Sequence, residues 1–292
     1  MEWATKPAPG ETTMPQHPAL APDRAAVITG GASGIGLAAA ERFAKLGMKI
    51  CLADIDAEAL EAAAETIRRS GGEVIAVPTD VSDAEQVRRL KDKAFEAFGD
   101  IAVVMNNAAR EGGGGLFADP QRWRDTLATN LWGVINGVQV FGPALIDQGK
   151  PAAIVNTGSK QGITCPPGDT AYNVTKAGVK VVTEALAHEL RNVEGCQVTA
   201  HLLIPGFTFT GFTRAKGVTE KPAGAWTAEQ VVDFMMDSMA NGDFYILCPD
   251  NDVSREMDNK RIRWAAEDII QNRPPLSRWH PDYKEAFERF EP

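Results

Sequence analysis

The chain has few of the residues that build metal centres or disulfide frameworks. Its four cysteines, Cys51, Cys165, Cys196 and Cys248, show no paired spacing, which argues against a cysteine-stapled fold and for incidental thiols in a reducing compartment. The four histidines, His17, His188, His201 and His280, are scattered, with no helical pair at ligand spacing; no catalytic metal is expected. Basic residues are in deficit, 30 Lys+Arg against 39 Asp+Glu, for a net charge of −9. With no basic cluster to offset that excess, a nucleic-acid partner is disfavoured. No apolar run reaches membrane-spanning length, and the amino terminus lacks a basic region followed by a hydrophobic core. A soluble, cytoplasmic protein with no membrane partner is expected. Residues 1–23, rich in Pro, Thr and Ala, read as a disordered tail in which Trp3 could dock on a neighbour.

What is present is an alternation of short apolar runs and helical patterns. The runs are Ala25–Thr29, Lys49–Ala53, Glu73–Val77, Ile101–Met105, Ala152–Thr157, Gln197–Ile204 and Phe244–Cys248. Such alternation argues for a parallel sheet covered by helices on both faces. At 292 residues the chain is long enough for one well-buried core of that kind.

Two local patterns carry chemistry. The first is Thr29-Gly30-Gly31-Ala32-Ser33-Gly34-Ile35-Gly36, between the first apolar run and the helix-forming stretch Leu37–Leu46 that Gly47 stops. Glycines there let the backbone turn sharply and approach a pyrophosphate, stabilised by the free N–H groups and dipole of the helix amino terminus. About 20 residues on, the second run ends at Asp54, where an acid would accept hydrogen bonds from an adenosine ribose diol. A carboxylate would repel the extra phosphate of NADP, and neither Ser33 nor Ile55 supplies a base to hold it, so NAD is the expected cofactor. The second pattern is Tyr172-Asn173-Val174-Thr175-Lys176. Positions i and i+4 share a helix face, and a fixed ammonium beside a phenol favours the phenolate.

With these motifs in order, the chain resembles a short-chain dehydrogenase/reductase of the single-domain type, whose cofactor turn is Thr-Gly-x-x-x-Gly-x-Gly. The resemblance covers residues 24 to 250. The family's serine, thirteen residues before the tyrosine, is matched by Ser159 in Gly158-Ser159-Lys160-Gln161-Gly162, with Gly158 in place of a preceding serine. Asp80-Val81 is similar to the Asp-Val pair whose acid binds the adenine amino group. Asn106-Asn107-Ala108-Ala109 stands where the family has Asn-Asn-Ala-Gly and lines the cofactor cleft. Asn130 matches the family's helix asparagine, which kinks its helix and holds a water linking the lysine to solvent. Pro205-Gly206-Phe207-Thr208-Phe209-Thr210 resembles the segment that contacts the nicotinamide carboxamide.

The resemblance implies a Rossmann-like, doubly wound α/β fold and an oxidoreductase moving a hydride between NAD(H) and a secondary alcohol or ketone. Tyr172 would be the general acid/base, Lys176 would depress its pKa and bond the nicotinamide ribose, Ser159 would hold the substrate oxygen, and Asn130 would complete a proton relay. Gly30, Ser33, Gly34, Ile35, Gly36, Asp54, Ile55, Asp80, Val81, Asn107, Ala108, Pro205, Gly206, Thr208 and Thr210 would bind the cofactor with Tyr172 and Lys176. Cys165 lies in the segment that borders the substrate in the family.

Substrate choice falls to the loops. Arg110-Glu111 precede four glycines, Gly112–Gly115, which suggest a mobile loop. Phe207, Phe209, Phe212 and Trp226 suggest a pocket for a bulky, apolar or aromatic alcohol. Beyond residue 250, Ser254–Gln271 reads as an amphipathic helix, followed by Trp279, Tyr283, Phe287 and Phe290; this extension is expected to cover the cleft or clasp a partner subunit. Relatives pair through the helices holding Asn130 and Tyr172, here with Leu127, Leu131, Val134, Val138 and Val179, Val182, Leu186, Leu190, so a homodimer or homotetramer is expected. Two alternatives are a catalytically silent NAD-binding sensor or scaffold of the same fold, and a sugar-nucleotide epimerase, which the spacing of the glycine turn disfavours.

Overall fold

The computed structural model describes residues 16–211, 217 and 219–291. Each expected apolar run is a strand, with ends displaced by one residue at most: β1 Ala25–Thr29, β2 Lys49–Asp54, β3 Val74–Pro78, β4 Ile101–Asn106, β5 Ala152–Thr157 and β6 Val198–Ile204. After the short strands β7 Thr208–Phe209 and β8 Trp226–Thr227 comes the last of the seven, β9 Tyr245–Leu247. These seven pair in parallel in the order β3-β2-β1-β4-β5-β6-β9. The order reverses between β1 and β4, the switch point where open α/β sheets place their ligand crevice.

Alternate residues of each strand enter opposite cores, as the two-residue period requires. Ala26, Ile28, Ile50 and Leu52 pack with helices α1 Gly34–Lys45, α2 Ala57–Arg69 and, later in the chain, α8 Ala228–Ala240. Val27, Cys51, Ala53, Val104 and Ile154 face the other way, towards α3 Ala84–Phe98, α5 Gly133–Asp147 and α7 Thr170–Arg191. Helix α4 Pro120–Leu127 runs into α5 through a π-helical turn, Ala128–Trp132, and the short α6 Gln161–Thr164 precedes α7.

Several expectations change. Residues 1–15, and so Trp3, lie outside the described residues, but the rest of the expected tail is packed. Ala19 and Leu20 are buried in the core, and His17 docks on β6. The His17 Nδ1 accepts from the Ala19 N–H (3.2 Å), leaving Nε2 to donate to Thr199 Oγ1 (3.2 Å). His201 Nδ1 donates to the Asp243 carbonyl (2.8 Å), leaving its Nε2 (2.9 Å) to accept the Thr199 hydroxyl proton. One pair of tautomers therefore satisfies the whole chain with both rings neutral. Burial lowers the His17 pKa from 6.5 to about 4 and moves His201 the same way.

The glycines after Glu111 serve fit. Gly112 and Gly114 have φ of +96° and +79°, which favours glycine. A Cβ on Gly113 would come within 2.4 Å of Ala171 Cβ. The loop is also bonded: Gly114 N–H donates to Asp169 Oδ1 (2.9 Å), and the Trp123 indole N–H donates to the Gly115 carbonyl (3.0 Å). An expected mobile loop is thus a packed one.

The extension begins with α9, Arg255–Ile270, capped by the Ser254 side chain on the Met257 N–H. Two 3₁₀ turns, Ser277–Trp279 and Pro281–Tyr283, then lead to α10 Lys284–Arg289. Trp264 is its centre: Phe287 and Phe290 meet it edge-on, Arg273 stacks at 3.9 Å, and its indole N–H donates to Ser277 Oγ (2.8 Å). Ile269 is exposed, so the apolar stripe of α9 is only partly used. Of the apolar residues expected to face a partner, Val134, Val179, Leu186 and Leu190 are buried in the chain's own core; the exposed ones on those helices are Trp132, Val174 and Val181.

Candidate active site

The glycine turn leaves the end of β1 and enters α1. Gly30 (φ +65°) and Gly34 (φ +56°) take the left-handed conformation. A Cβ on Gly36 would lie 2.2 Å from the Gly30 carbonyl oxygen and 2.8 Å from Asn107 Nδ2, so that position closes the turn on itself. Helix α1 has neither a side-chain cap nor an acid in its first turn. By contrast, α2, α3, α4, α7, α8 and α9 are capped by Asp56, Asp83, Asp119, Asp169, Thr227 and Ser254. The terminus of α1, left without an internal cap at the crevice, is therefore suited to an external anion.

Neighbouring strand ends are tied together by polar groups. Thr29 Oγ1 accepts from the N–H groups of Asn107 (2.9 Å) and Ala108 (3.1 Å), and Asn107 Nδ2 donates to the Thr29 carbonyl (3.1 Å). Deeper, Asn106 Nδ2 donates to Asn156 Oδ1 (2.8 Å) and Asn156 Nδ2 to Thr183 Oγ1 (3.0 Å). Each such group left unpaired in the core would cost about 1–3 kcal/mol, so the chain locks β4, β5 and α7 in register. Asp54, at the end of β2, accepts from the N–H groups of Ala32 and Asp56, both at 3.2 Å. Asp80 accepts from Ser82 Oγ (2.7 Å) and Ser82 N–H (2.9 Å).

Ser159, Tyr172 and Lys176 converge from the end of β5 and the first turns of α7. The Ser159 hydroxyl hydrogen-bonds the Tyr172 phenol. Lys176 is buried and donates to the Thr157 carbonyl at 2.8 Å, with its Nζ 5.6 Å from the centre of the tyrosine ring. Burial drives both away from their charged forms. It pushes the phenol above its ordinary value, aided by the carboxylates of Glu111 and Asp169 and opposed by the Ser159 bond. It lowers the Lys176 ammonium to about 8. Burial is the largest influence on the phenol in this arrangement. Asn130, fully buried in the π-helical turn, spends its amide on the Arg110 backbone: Oδ1 accepts from the N–H (2.7 Å) and Nδ2 donates to the carbonyl (2.8 Å). It fixes the start of the loop after β4.

Ser159, Tyr172 and Lys176 line one cleft of about 650 Å³, within the roughly 300–1,000 Å³ usual for small-molecule sites. The proposed cofactor residues Gly30, Ser33, Gly34, Ile35, Asp54, Ile55, Asp80, Val81, Asn107, Ala108, Tyr172, Lys176, Pro205, Gly206, Thr208 and Thr210 all line it, as does Ser159. Gly36 and Asn130 do not; both act from behind the wall. Thr79 and Thr129, which carry no local motif, also line it, as do Lys160 and Gln161 of the serine segment, to which the resemblance gives no role. Of the expected aromatic group, Phe207 lines the cleft, Phe212 lies outside the described residues, and Trp226 packs edge-on against Phe234. No described residue from 251 to 291 lines the cleft. Cys165 is partly buried with its thiol pushed up, and the buried Cys51 and Cys248 are raised to about 12, so burial holds these thiols in the protonated form.

The family model described as short chain dehydrogenase matches residues 24–221. Among curated relatives, 1-deoxy-11-beta-hydroxypentalenate dehydrogenase of Streptomyces exfoliatus is 36% identical over 231 residues, covering 76% of this chain and 82% of the relative. Among solved structures, a short-chain dehydrogenase/reductase from Burkholderia phymatum in complex with NAD superposes with a TM-score of 0.79 at 36% identity, over 88% of this chain and 97% of its own. A metagenomic short-chain oxidoreductase in complex with NADP gives 0.65 at 26% identity, over 78% and 98%.

Proposed function

The chain belongs to the short-chain dehydrogenase family, and from that premise we propose that it is an NAD-dependent dehydrogenase or reductase acting on a secondary alcohol or ketone. The observation that carries this reading is the convergence of Ser159, Tyr172 and Lys176 at one cleft whose wall also holds the uncapped terminus of α1 and Asp54. Bound NAD would supply the redox chemistry. Gly30, Ser33, Gly34 and Ile35 would hold its pyrophosphate, Asp54 its adenosine ribose, Asp80 and Val81 its adenine, and Pro205, Gly206, Thr208 and Thr210 its nicotinamide end.

Tyr172 takes the hydroxyl proton in oxidation and returns it in reduction. Ser159, already bonded to the phenol, holds the substrate oxygen beside it. Lys176 would stabilise the phenolate as it forms, a contribution that grows where water is excluded, and would hold the nicotinamide ribose. Asn130 keeps Arg110 and the following loop in place and supports a solvent relay to Lys176. The relative from S. exfoliatus supports a hydroxyl-bearing substrate. The substrate end, with Arg110, Glu111, Gln161 and Phe207, favours a partly polar molecule over the bulky, apolar or aromatic one expected from Phe207, Phe209, Phe212 and Trp226.

Asp54 favours NAD, since a carboxylate there repels the extra phosphate of NADP. Initial rates with NAD and NADP over a panel of secondary alcohols test both points. Wild type should prefer NAD and Asp54→Ala should lose that preference. A wild-type preference for NADP would overturn the cofactor assignment.

A further inference from the structure

Lys160 follows Ser159 directly and opens the turn into α6. Its ammonium lies 2.6 Å from Asp258 Oδ2 and 3.3 Å from Asp250 Oδ2, with side-chain exposures of 17%, 5% and 4%. The three come from distant parts of the chain: the turn after β5, the loop after β9 and the first turns of α9. Asp250 accepts a hydrogen bond from Lys160, whereas Asp258 Oδ2 makes an ion-pair contact with no hydrogen-bond partner; buried pairs of this kind fix one arrangement of the chain more than they stabilise it.

This pairing sits against the cleft. Asp250 Oδ2 also accepts from the Phe207 N–H (3.1 Å), while its Oδ1 holds the N–H groups of Asp252 (3.1 Å) and Val253 (2.8 Å). A Cβ on Gly206 would meet Asp250 Oδ2 at 2.5 Å and Lys160 Nζ at 3.0 Å, and Lys160 N–H donates to the Pro205 carbonyl at 3.4 Å. On the other side, α6 touches the helix of the tyrosine and lysine, since a Cβ on Gly162 would lie 2.4 Å from the Lys176 carbonyl carbon. Ile262 of α9 packs with Ile204 and Leu247. One lysine thus joins the serine turn, the Pro205–Phe207 lip and the carboxy-terminal extension.

We propose that Lys160, Asp250 and Asp258 are positioning residues, a clamp through which helix α9 holds Ser159 and the Pro205–Phe207 lip at their working separation. The carboxy-terminal segment is then a functional part of a site it does not line. This rests on the dehydrogenase reading for its catalytic consequence, but the clamp itself is measurable without turnover.

The variants are Asp258→Asn, which keeps shape and removes charge, Lys160→Met, and Lys160→Arg as the charge-retaining control. Hydrogen exchange should show residues 160–165 and the Phe207 amide exchanging faster in Asp258→Asn by roughly an order of magnitude, with β1, β4 and β5 unchanged. In steady-state assays kcat should fall on the order of 10- to 100-fold, the range a misplaced reacting group costs, with the NADH dissociation constant raised by much less, since the lip meets only the nicotinamide end of the cofactor. Lys160→Met should behave likewise, and Lys160→Arg should recover most of the loss. Wild-type exchange in the serine turn of Asp258→Asn overturns the clamp, as does loss of protection spread evenly over the sheet, which would mark a merely structural pair. An active Tyr172→Phe would instead sink the dehydrogenase reading, leaving the exchange data to decide the clamp.

Discussion

Acid should release the amino-terminal segment through His17. In the folded chain its Nδ1 accepts from Ala19 and its Nε2 donates to Thr199, so a second proton has no acceptor and would displace the Ala19 bond. The pKa is about 4 folded against 6.5 for the free ring. Between those values the unfolded chain binds more protons than the folded one, so stability falls as pH drops through that window and levels off below it. At about 1.36 kcal/mol per pH unit the loss approaches about 3 kcal/mol, of the same order as the last few kcal/mol that separate a folded domain from its unfolded chain. His201 shifts the same way and adds to the slope. The assay is urea unfolding of wild type and His17→Asn from neutral pH to about 4. Asparagine can keep the Ala19 bond but does not titrate. The variant should be weaker at neutral pH by about 1 kcal/mol, the worth of one hydrogen bond, and should show the shallower pH dependence, so the two curves approach or cross in acid. Parallel curves would refute the reasoning.

Gly36→Ala should abolish tight dinucleotide binding, because the new Cβ would lie 2.2 Å from a backbone oxygen of the same turn. NADH titration followed by fluorescence should show a dissociation constant raised on the order of 100-fold, about 2.7 kcal/mol, and an unchanged constant would contradict that account of the turn. Trp264→Ala removes the centre of the extension, a loss of about 3–5 kcal/mol for a buried aromatic. Limited proteolysis should then cut within 255–291 while the sheet survives; an unchanged digestion pattern would show that the extension does not depend on Trp264.

Local physics made much of this molecule legible in its sequence. The strands announced themselves because each is a short apolar run between turn residues, and Gly30, Gly34 and Gly36 because a sharp turn at a helix terminus needs those glycines. Ser159, Tyr172 and Lys176 were legible through spacing along one element and its neighbour. What escaped depends on pairings that only the assembled topology creates. Lys160 carries no signature of its own, and its two carboxylates arrive from the far end of the chain. His17 sat in a segment whose composition reads as disordered, yet two core residues and one neutral imidazole dock it. The four glycines after Glu111 read as a mobile loop, whereas the contacts of Gly113 with Ala171 and Thr126 make it a close fit. Trp226, 19 residues after Phe207 in sequence, meets it through the backbone, while its ring packs against Phe234.

The central claim is that Tyr172 moves the proton in a nicotinamide-dependent alcohol or ketone reaction. The direct measurement compares wild type with Tyr172→Phe, following reduced nicotinamide by absorbance with a turned-over secondary alcohol and NADH binding by fluorescence in the same preparations. The account predicts kcat lower by about 10²–10⁴-fold with the NADH dissociation constant nearly unchanged, since one hydroxyl is removed from a ring that stays in place. A phenylalanine variant that turns over at the wild-type rate would contradict it.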